Sequence, residues 1–362
     1  MPAYRGLYVK GSSATPSVGT TPLEARLALA GQIAENSPGV PRAGVLPQSA
    51  ANLVTATATT APLSYNIAPC NVIISRVAGE GVYTLSLVGT TVANTIAPPA
   101  SNSRWDLIYV MQNDLEKGDA DNGPVVGVIN GAAAAAPTKP YASVPAGGFV
   151  LAEAQIFSGT TATNGGTNTL ANVWAYTALR GHPVICRTLA ERNTITSPFI
   201  GQRVIRLDRN NHEQTWGGSA WKWTSKPERY TASTFDTSSA AGSRLIASVD
   251  NWPGYSWNIK TTIRGALTVL CPTVASGTQS INVAVSIGQA SVSTAQGKGR
   301  LNWTPGFSSN NQTGIAEAQD IVIAGTSSAP RLWIENVAGA LAMQPSAGAY
   351  AYLYADVLPA DD

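Results

Sequence analysis

From Leu53 onward the apolar residues of this 362-residue chain recur at every second position in short runs, with Gly, Pro, Asn or Ser between the runs. A period of two sends alternate side chains to opposite faces of an extended backbone, so each run reads as a strand with one covered face. Val54, Ala56 and Ala58 form the first series, then Leu63, Tyr65 and Ile67, then Val72 and Ile74, then Val82, Thr84 and Ser86. Arg104 to Val110 is the most strand-like run, followed by Val125 to Ile129 and Gly148 to Phe157. Beyond Pro227 the runs are Arg244 to Val249, Ser256 to Arg264, Ala266 to Leu270, Ser280 to Ile287, Asp320 to Ala324, Arg331 to Val337 and Ala349 to Val357. Short strands at this density predict a sandwich or jelly roll. The expected fold is therefore mainly β: a β-rich N-terminal domain with one short helix, a hairpin connector, and a C-terminal antiparallel β-sandwich or jelly-roll-like head. The expected division is a helix and extended arm over 1–50, a β-rich attachment domain over 51–180, a connector over 181–225 and a head over 226–362.

The one clear helix comes early. Thr21-Pro22-Leu23-Glu24 reads as a capping box with proline at the first helical position, Leu23, Leu27 and Ala30 share a face, and Gly31 is the expected left-handed stop. Cys70, Cys186 and Cys271 are far apart and read as buried free thiols. The N-terminus lacks the apolar core of a secretory signal, and no run approaches the length of a membrane span, so no membrane insertion and folding in the cytoplasm are expected.

Charge narrows the function classes. Lys+Arg number 23 and Asp+Glu 21, together 12% of residues, against about 25% in an ordinary domain. So sparse a charge offers no grip on a phosphate backbone, and no nucleic-acid partner is expected. Neutral polar side chains must cover much of the surface, which suits close packing in a permanent assembly.

The order LEARLALAG, PRAGVLP, VTATA, YNIAPCNVIISR, GVYTLSL, NSRWDLIYVMQND, VPAGGFVLAEAQI and RGHPVICRTLAERN resembles minor tail proteins of siphophages that infect actinobacteria, over residues of about 20 to 225. The most specific part is Arg104-x-Asp106-Leu107-Ile108 with Pro145-Ala146-Gly147 and Leu151-Ala152-Glu153. Such proteins usually carry glycine at the turn where Cys70-Asn71 stand here, and Asn tolerates the left-handed conformation. The resemblance implies a homotrimer near the distal tail or baseplate, contacting other tail proteins, with an N-terminal part on the tail and a variable C-terminal part facing the host. A virion location on the phage tail, with assembly in the host cytoplasm, follows from that resemblance. It does not extend beyond residue 225.

Candidate site residues fall into two groups. Arg104, Asp106 and Glu153 are charges inside apolar strands and are read as a subunit-contact cluster, with a solvated sheet face as the alternative. Tyr350, Tyr352 and Tyr354 line one face of the last strand while small residues line the other, which suits packing on one side and a neighbouring subunit on the other. Trp252, Tyr255 and Asn251 in the loop NWPGY, together with Trp303, are candidates for a glycan surface, because flat rings stack on pyranose faces while amides meet hydroxyls, with filling of the sandwich core as the alternative for the aromatic residues. Trp257 and Trp333, inside strands, are assigned to the core. No metal site, cofactor or catalytic residue is expected: KGDADNG lacks a calcium-loop spacing, His182 and His212 stand apart as loop residues, and there is no GxSxG, HExxH or P-loop. The functional expectation is a non-enzymatic tail or baseplate protein whose head binds host-surface glycan. The alternatives are a purely structural baseplate adaptor without a ligand site and a tail-associated glycan hydrolase, which would need two carboxylates about 5–9 Å apart.

Overall fold

The computed structural model describes residues 20–48, 50, 52–236, 243–271, 279–288, 291–292, 294–303, 310–338, 344–345 and 351–360. It is a mainly β, helix-poor fold of several sheets, almost all antiparallel, and it divides into two compact units, Met1–Lys222 and Trp223–Asp362.

The first unit opens with α1 (Pro22–Ala30). Its capping box forms as read: Thr21 Oγ1 accepts from the Glu24 amide at 3.2 Å, and Glu24 Oε2 accepts from the Thr21 amide at 2.9 Å. Two expectations for this helix fail. Gly31 is right-handed at φ −59, and the buried positions are Glu24 and Arg26 in place of the Leu23, Leu27 and Ala30 stripe. The helix docks through its arginine, whose guanidinium reaches Asp114 at 3.1 Å and Glu116 at 3.2 Å, and through Leu29 and Ala30, which pack against Ile33, Ile73 and Val82.

Strands β1 (Glu35–Ser37), β2 (Val40–Pro41), β3 (Gly44–Val45), β4 (Val54–Ala56), β5 (Leu63–Ile67), β6 (Cys70–Ile74), β7 (Tyr83–Leu87), β8 (Thr91–Thr95), β9 (Ser103–Gln112), β10 (Pro124–Asn130), β11 (Phe149–Phe157) and β12 (Thr169–Asn172) follow. They make a β1–β2 pair and sheets ordered β3-β6-β7, β4-β5-β8 and β10-β9-β11-β12. The three larger sheets share one core that includes Val54, Tyr65, Val72, Ile108, Leu151 and Trp174. Cys70 and Asn71 lie inside β6 and Asn71 has an ordinary φ, so the expected left-handed turn is not there. Cys70 and Cys186 are buried free thiols, and burial pushes the Cys186 thiol up to about 12. Cys271 belongs to a strand, but its side chain lies outside the described residues.

The segment read as a connector is a small packed layer. Strands β13 (Val184–Cys186), β14 (Arg203–Arg206), β15 (His212–Trp216) and β16 (Trp221–Trp223) form a sheet in that order, with β13 and β14 parallel, and the short helix α2 (Leu189–Asn193) joins those two strands. Ala34 of the N-terminal arm and Ala178 complete its core with Val184, Cys186, Ile195 and Val204. His212, expected in a loop, is a buried residue of β15.

The second unit contains β17 (Glu228–Thr231), β18 (Ser243–Ser248), β19 (Ile259–Cys271), β20 (Gln279–Ser286), β21 (Gly297–Trp303), β22 (Asn310–Ile323), β23 (Arg331–Ala338), β24 (Gln344–Pro345) and β25 (Ala351–Pro359). One sheet runs β17-β25-β19-β22 with β24 beside β19, and the other runs β18-β23-β20-β21. Setting aside the two-residue β24, the eight strands are ordered 1-8-3-6 in one sheet and 2-7-4-5 in the other, consecutive strands changing sheet except at the β20–β21 hairpin, a double Greek-key winding. Inward side chains of both sheets, among them Ile263, Leu267, Val283, Val285, Leu332 and Leu353, build one core. The runs Ser256 to Arg264 and Ala266 to Leu270 are one strand, because Gly265 lies between them: a Cβ there would stand 2.7 Å from Leu332 Cδ1 of the facing sheet. Strands β17 and β21 and most of β22 have no apolar alternation and were absent from the expected set. Gly297 and Gly299 of β21 lie so close to the β22 backbone that a Cβ on either would overlap a carbonyl, of Glu317 and Ile315 respectively.

Candidate functional site

Arg104 and Asp106 project from the same face of β9, as their spacing requires, but they are interior residues of a single chain. Asp106 is 0% exposed, and its carboxylate is used up locally. Arg104 Nε donates to Oδ1 at 2.8 Å, and Asn130 Nδ2, directly opposite on β10, donates to the same oxygen at 2.8 Å. The Tyr65 and Thr95 hydroxyls donate to Oδ2 at 3.1 and 2.7 Å. The Arg104 Nη2 group donates to the Ile96 carbonyl at 2.9 Å. Burial and the adjacent Asp106 charge push the Tyr65 hydroxyl well above its ordinary value. The cluster thus ties β5 and β8 of one sheet to β9 and β10 of another and leaves nothing to offer a second copy, which differs from both the subunit contact and the solvated face expected for it. Glu153 is not part of it. Asp106 faces Ala154, one residue along β11, so Glu153 projects to the opposite side, where it accepts from Lys139 Nζ and the Tyr141 hydroxyl, both at 2.6 Å.

The loop NWPGY is locked in place. Asn251 is left-handed at φ 51 and exposed, and the Tyr255 amide donates to the Thr326 carbonyl at 3.0 Å. Trp252 is half-buried, and Tyr255 is 6% exposed within the core, not presented at the surface as expected. Tyr230, Trp252, Tyr255 and Trp257 form a ladder of edge-to-face contacts with centroids 5.2–5.3 Å apart. The Tyr255 and Tyr230 hydroxyls both donate to Glu228 Oε2, at 2.8 and 2.6 Å. Burial, then hydrogen bonding with the Tyr230 hydroxyl, 2.9 Å away, and with Glu228, raises the Tyr255 pKa. Of the proposed glycan residues this leaves Asn251 and one edge of Trp252 at the surface. The side chain of Trp303 lies outside the described residues. Trp257 packs against the core, and Trp333, half-buried, donates to Ser286 Oγ at 2.7 Å.

Tyr350 also lies outside the described residues. Tyr352 and Tyr354 occupy the outward face of β25, stacked with centroids 5.8 Å apart and planes 20° from parallel. Arg229 of β17 lies over the Tyr354 ring at 4.3 Å and meets Asp356 through two 2.6 Å hydrogen bonds. Arg264 of β19 stands opposite Tyr354 on one side and Glu317 on the other, and its hydrogen bond to Tyr354 raises its pKa. Lys260 and Asp320 pair at 3.2 Å on the two neighbouring strands. Sequence reading found the tyrosines by alternation. It missed the arginines, which come from strands 90 to 125 residues away.

Among the described residues, no group of three or more His, Cys, Asp or Glu could hold a metal ion. KGDADNG is a pinned loop. Asp119 pairs with Arg76, which holds its carboxyl at about 2, while Asp121 accepts from the Gly123 amide at 2.8 Å and from Asn113 at 3.0 Å.

No protein-family model and no curated protein matches the chain. Among solved structures it has a likeness to the infectious bursal disease virus Gt strain, with 13% identity, a TM-score of 0.22, and coverage of 84% of this chain and 59% of that one. The Gx strain structure gives 12% identity, a TM-score of 0.23, and coverage of 89% and 71%. The VP2 subviral particle of the same virus gives 11%, 0.20, 88% and 71%. TM-scores this low support no inference about this chain.

Proposed function

We propose that this chain is a structural protein of a tailed-phage virion, a minor tail or baseplate protein that attaches through its first unit, assembles as a homotrimer, and presents its second unit as a head that binds host-surface glycan. The phage assignment rests on the motif order over residues of about 20 to 225. The assembly reading is carried by the outward face of β17-β25-β19-β22. Three cations, Arg229, Arg264 and Lys260, are interleaved there with three acids, Asp356, Glu317 and Asp320, around the stacked Tyr352 and Tyr354. A face of zero net charge rich in tyrosine and arginine attracts neither polyanions nor polycations, and has the composition of a protein contact. Glycan would meet the head at Asn251 and the open edge of Trp252, with three copies supplying avidity that one shallow site lacks. The interior position of Tyr255 favours a second reading, a structural adaptor with no ligand site.

Light scattering of the full chain tests the assembly: the expected mass is three copies, and the pair Arg264→Ala, Tyr354→Ala lowers it to one. A wild-type monomer overturns self-association. Binding of the full chain to immobilised host-wall glycan, weakened at least tenfold by Asn251→Ala alone at unchanged melting temperature and abolished by adding Trp252→Ala in a chain that still folds, supports the head site. Binding that survives the pair rejects Asn251 and Trp252 as the site, and no binding leaves the adaptor.

A further inference from the structure

In the first unit a cleft of about 500 Å³ opens between α1, the start of β7 and the loop after β9. Its aliphatic lining comes from Pro22, Ala25 and Leu29 of the helix with Val82. Its polar lining carries one cation, Arg26, against two carboxylates, Asp114 and Glu116. Asp114 is satisfied by Arg26 and by the Tyr83 hydroxyl at 2.5 Å, and Arg26 divides its charge between Asp114 and Glu116 while lying 4.9 Å over the Tyr83 ring. The Tyr83 hydrogen bond holds the Asp114 carboxyl below its usual range, so this charge compensation persists at neutral pH.

The polar atoms left over have a particular character. Gln112 spends its amide N–H groups on the Asn113 and Asn122 carbonyls at 3.0 and 2.6 Å, which leaves Oε1. Asn122 spends its oxygen on the Leu115 amide at 2.9 Å, which leaves its amide nitrogen. Asn113 donates to Asp121 and retains Oδ1, and Glu116 binds Arg26 through Oε2 and retains Oε1. Thr84 adds an exposed hydroxyl on the same lining. Amides, a hydroxyl and one carboxylate oxygen beside aliphatic side chains match the two surfaces of a saccharide, whose hydroxyls both donate and accept and whose ring C–H face is apolar. A free anion would meet the Glu116 carboxylate.

We propose that this cleft is a binding site for a neutral hexose unit, separate from any site on the second unit. Because it stands on different residues, it does not depend on the glycan reading of the head. The walls are held by the Arg26, Asp114 and Tyr83 network before any ligand arrives, which limits the ordering cost of binding.

Saturation-transfer NMR on the full chain with glucose, galactose and rhamnose, each at millimolar concentration, tests the assignment. Transfer to at least one of the three is expected in the Asn251→Ala, Trp252→Ala background, where the head contributes nothing, and adding Ala25→Phe, which fills the cleft, reduces it at least tenfold. Asn122→Asp keeps the bond to the Leu115 amide, removes the free N–H donor, and gives the same reduction should the phenylalanine variant fail to fold. No transfer to any of the three sugars, or transfer indifferent to both cleft variants, overturns the proposal. Transfer lost with the Asn251 and Trp252 pair but retained in the cleft variants also overturns it, by placing the sugar on the head.

Discussion

At the scale of single residues, the strongest constraint on the first unit is one carboxylate. A buried ion has lost several kcal/mol of hydration, and only dense pairing offsets that. Asp106 meets the requirement with Arg104, Asn130, Tyr65 and Thr95. Asp106→Asn strands the Arg104 guanidinium in the interior, and a loss of about 3–5 kcal/mol in urea unfolding is expected. Tyr65→Phe removes one hydrogen bond to a charged group and costs about 1.5–3 kcal/mol. A loss below about 1 kcal/mol in both would mean that the cluster is hydrated in solution. The need for partners was legible in the sequence, since Arg104 and Asp106 stand two apart in an apolar strand. The partners themselves were not, because Tyr65 is 41 and Asn130 24 residues away, and only the sheet laid over β9 decides whether that face meets solvent, a subunit or its own chain.

Local elements were readable where their causes are local. The α1 capping box is written in four consecutive residues, and β9 and β11 in their alternation. Strand β21 escaped because its identity comes from contact: its glycines exist to let β22 approach, and no periodicity within the segment records that. The loop after β9 also takes its order from outside itself, through Arg76 on Asp119, Arg26 on Asp114 and Glu116, and Lys117 on Glu80. Its acid response follows with a definite sign. Folding depresses the Asp119 pKa to about 2 from an unfolded value of about 4, so its stabilisation is complete above about pH 5 and disappears as pH falls through 2. Asp114, also depressed, acts in the same direction. Melting temperature measured from pH 6 to pH 2 should therefore fall on the acid side, and Arg76→Ala should shallow that decline while lowering the plateau. An unchanged acid limb in the variant would place the responsible carboxylates elsewhere.

The whole molecule has two large cores, one in each compact unit. Fully buried aliphatic side chains mark each: Ile108 in the first and Ile263 in the second. Truncation of either to Ala should cost about 2–5 kcal/mol. Differential scanning calorimetry of the full chain is expected to show two transitions, with Ile108→Ala moving one and Ile263→Ala the other. One transition shifted equally by both would mean that the units unfold together. The seam made by Gly297 and Gly299 has a consequence for the second unit that reaches beyond packing. Strands β21 and β22 are the terminal strands of their respective sheets, and terminal strands carry unpaired amides and carbonyls able to template a foreign strand. Pressed backbone to backbone, each shields the other from such recruitment along their contact. Two absent methyl groups are thus what lets two open sheet edges of a sparsely charged protein cover one another.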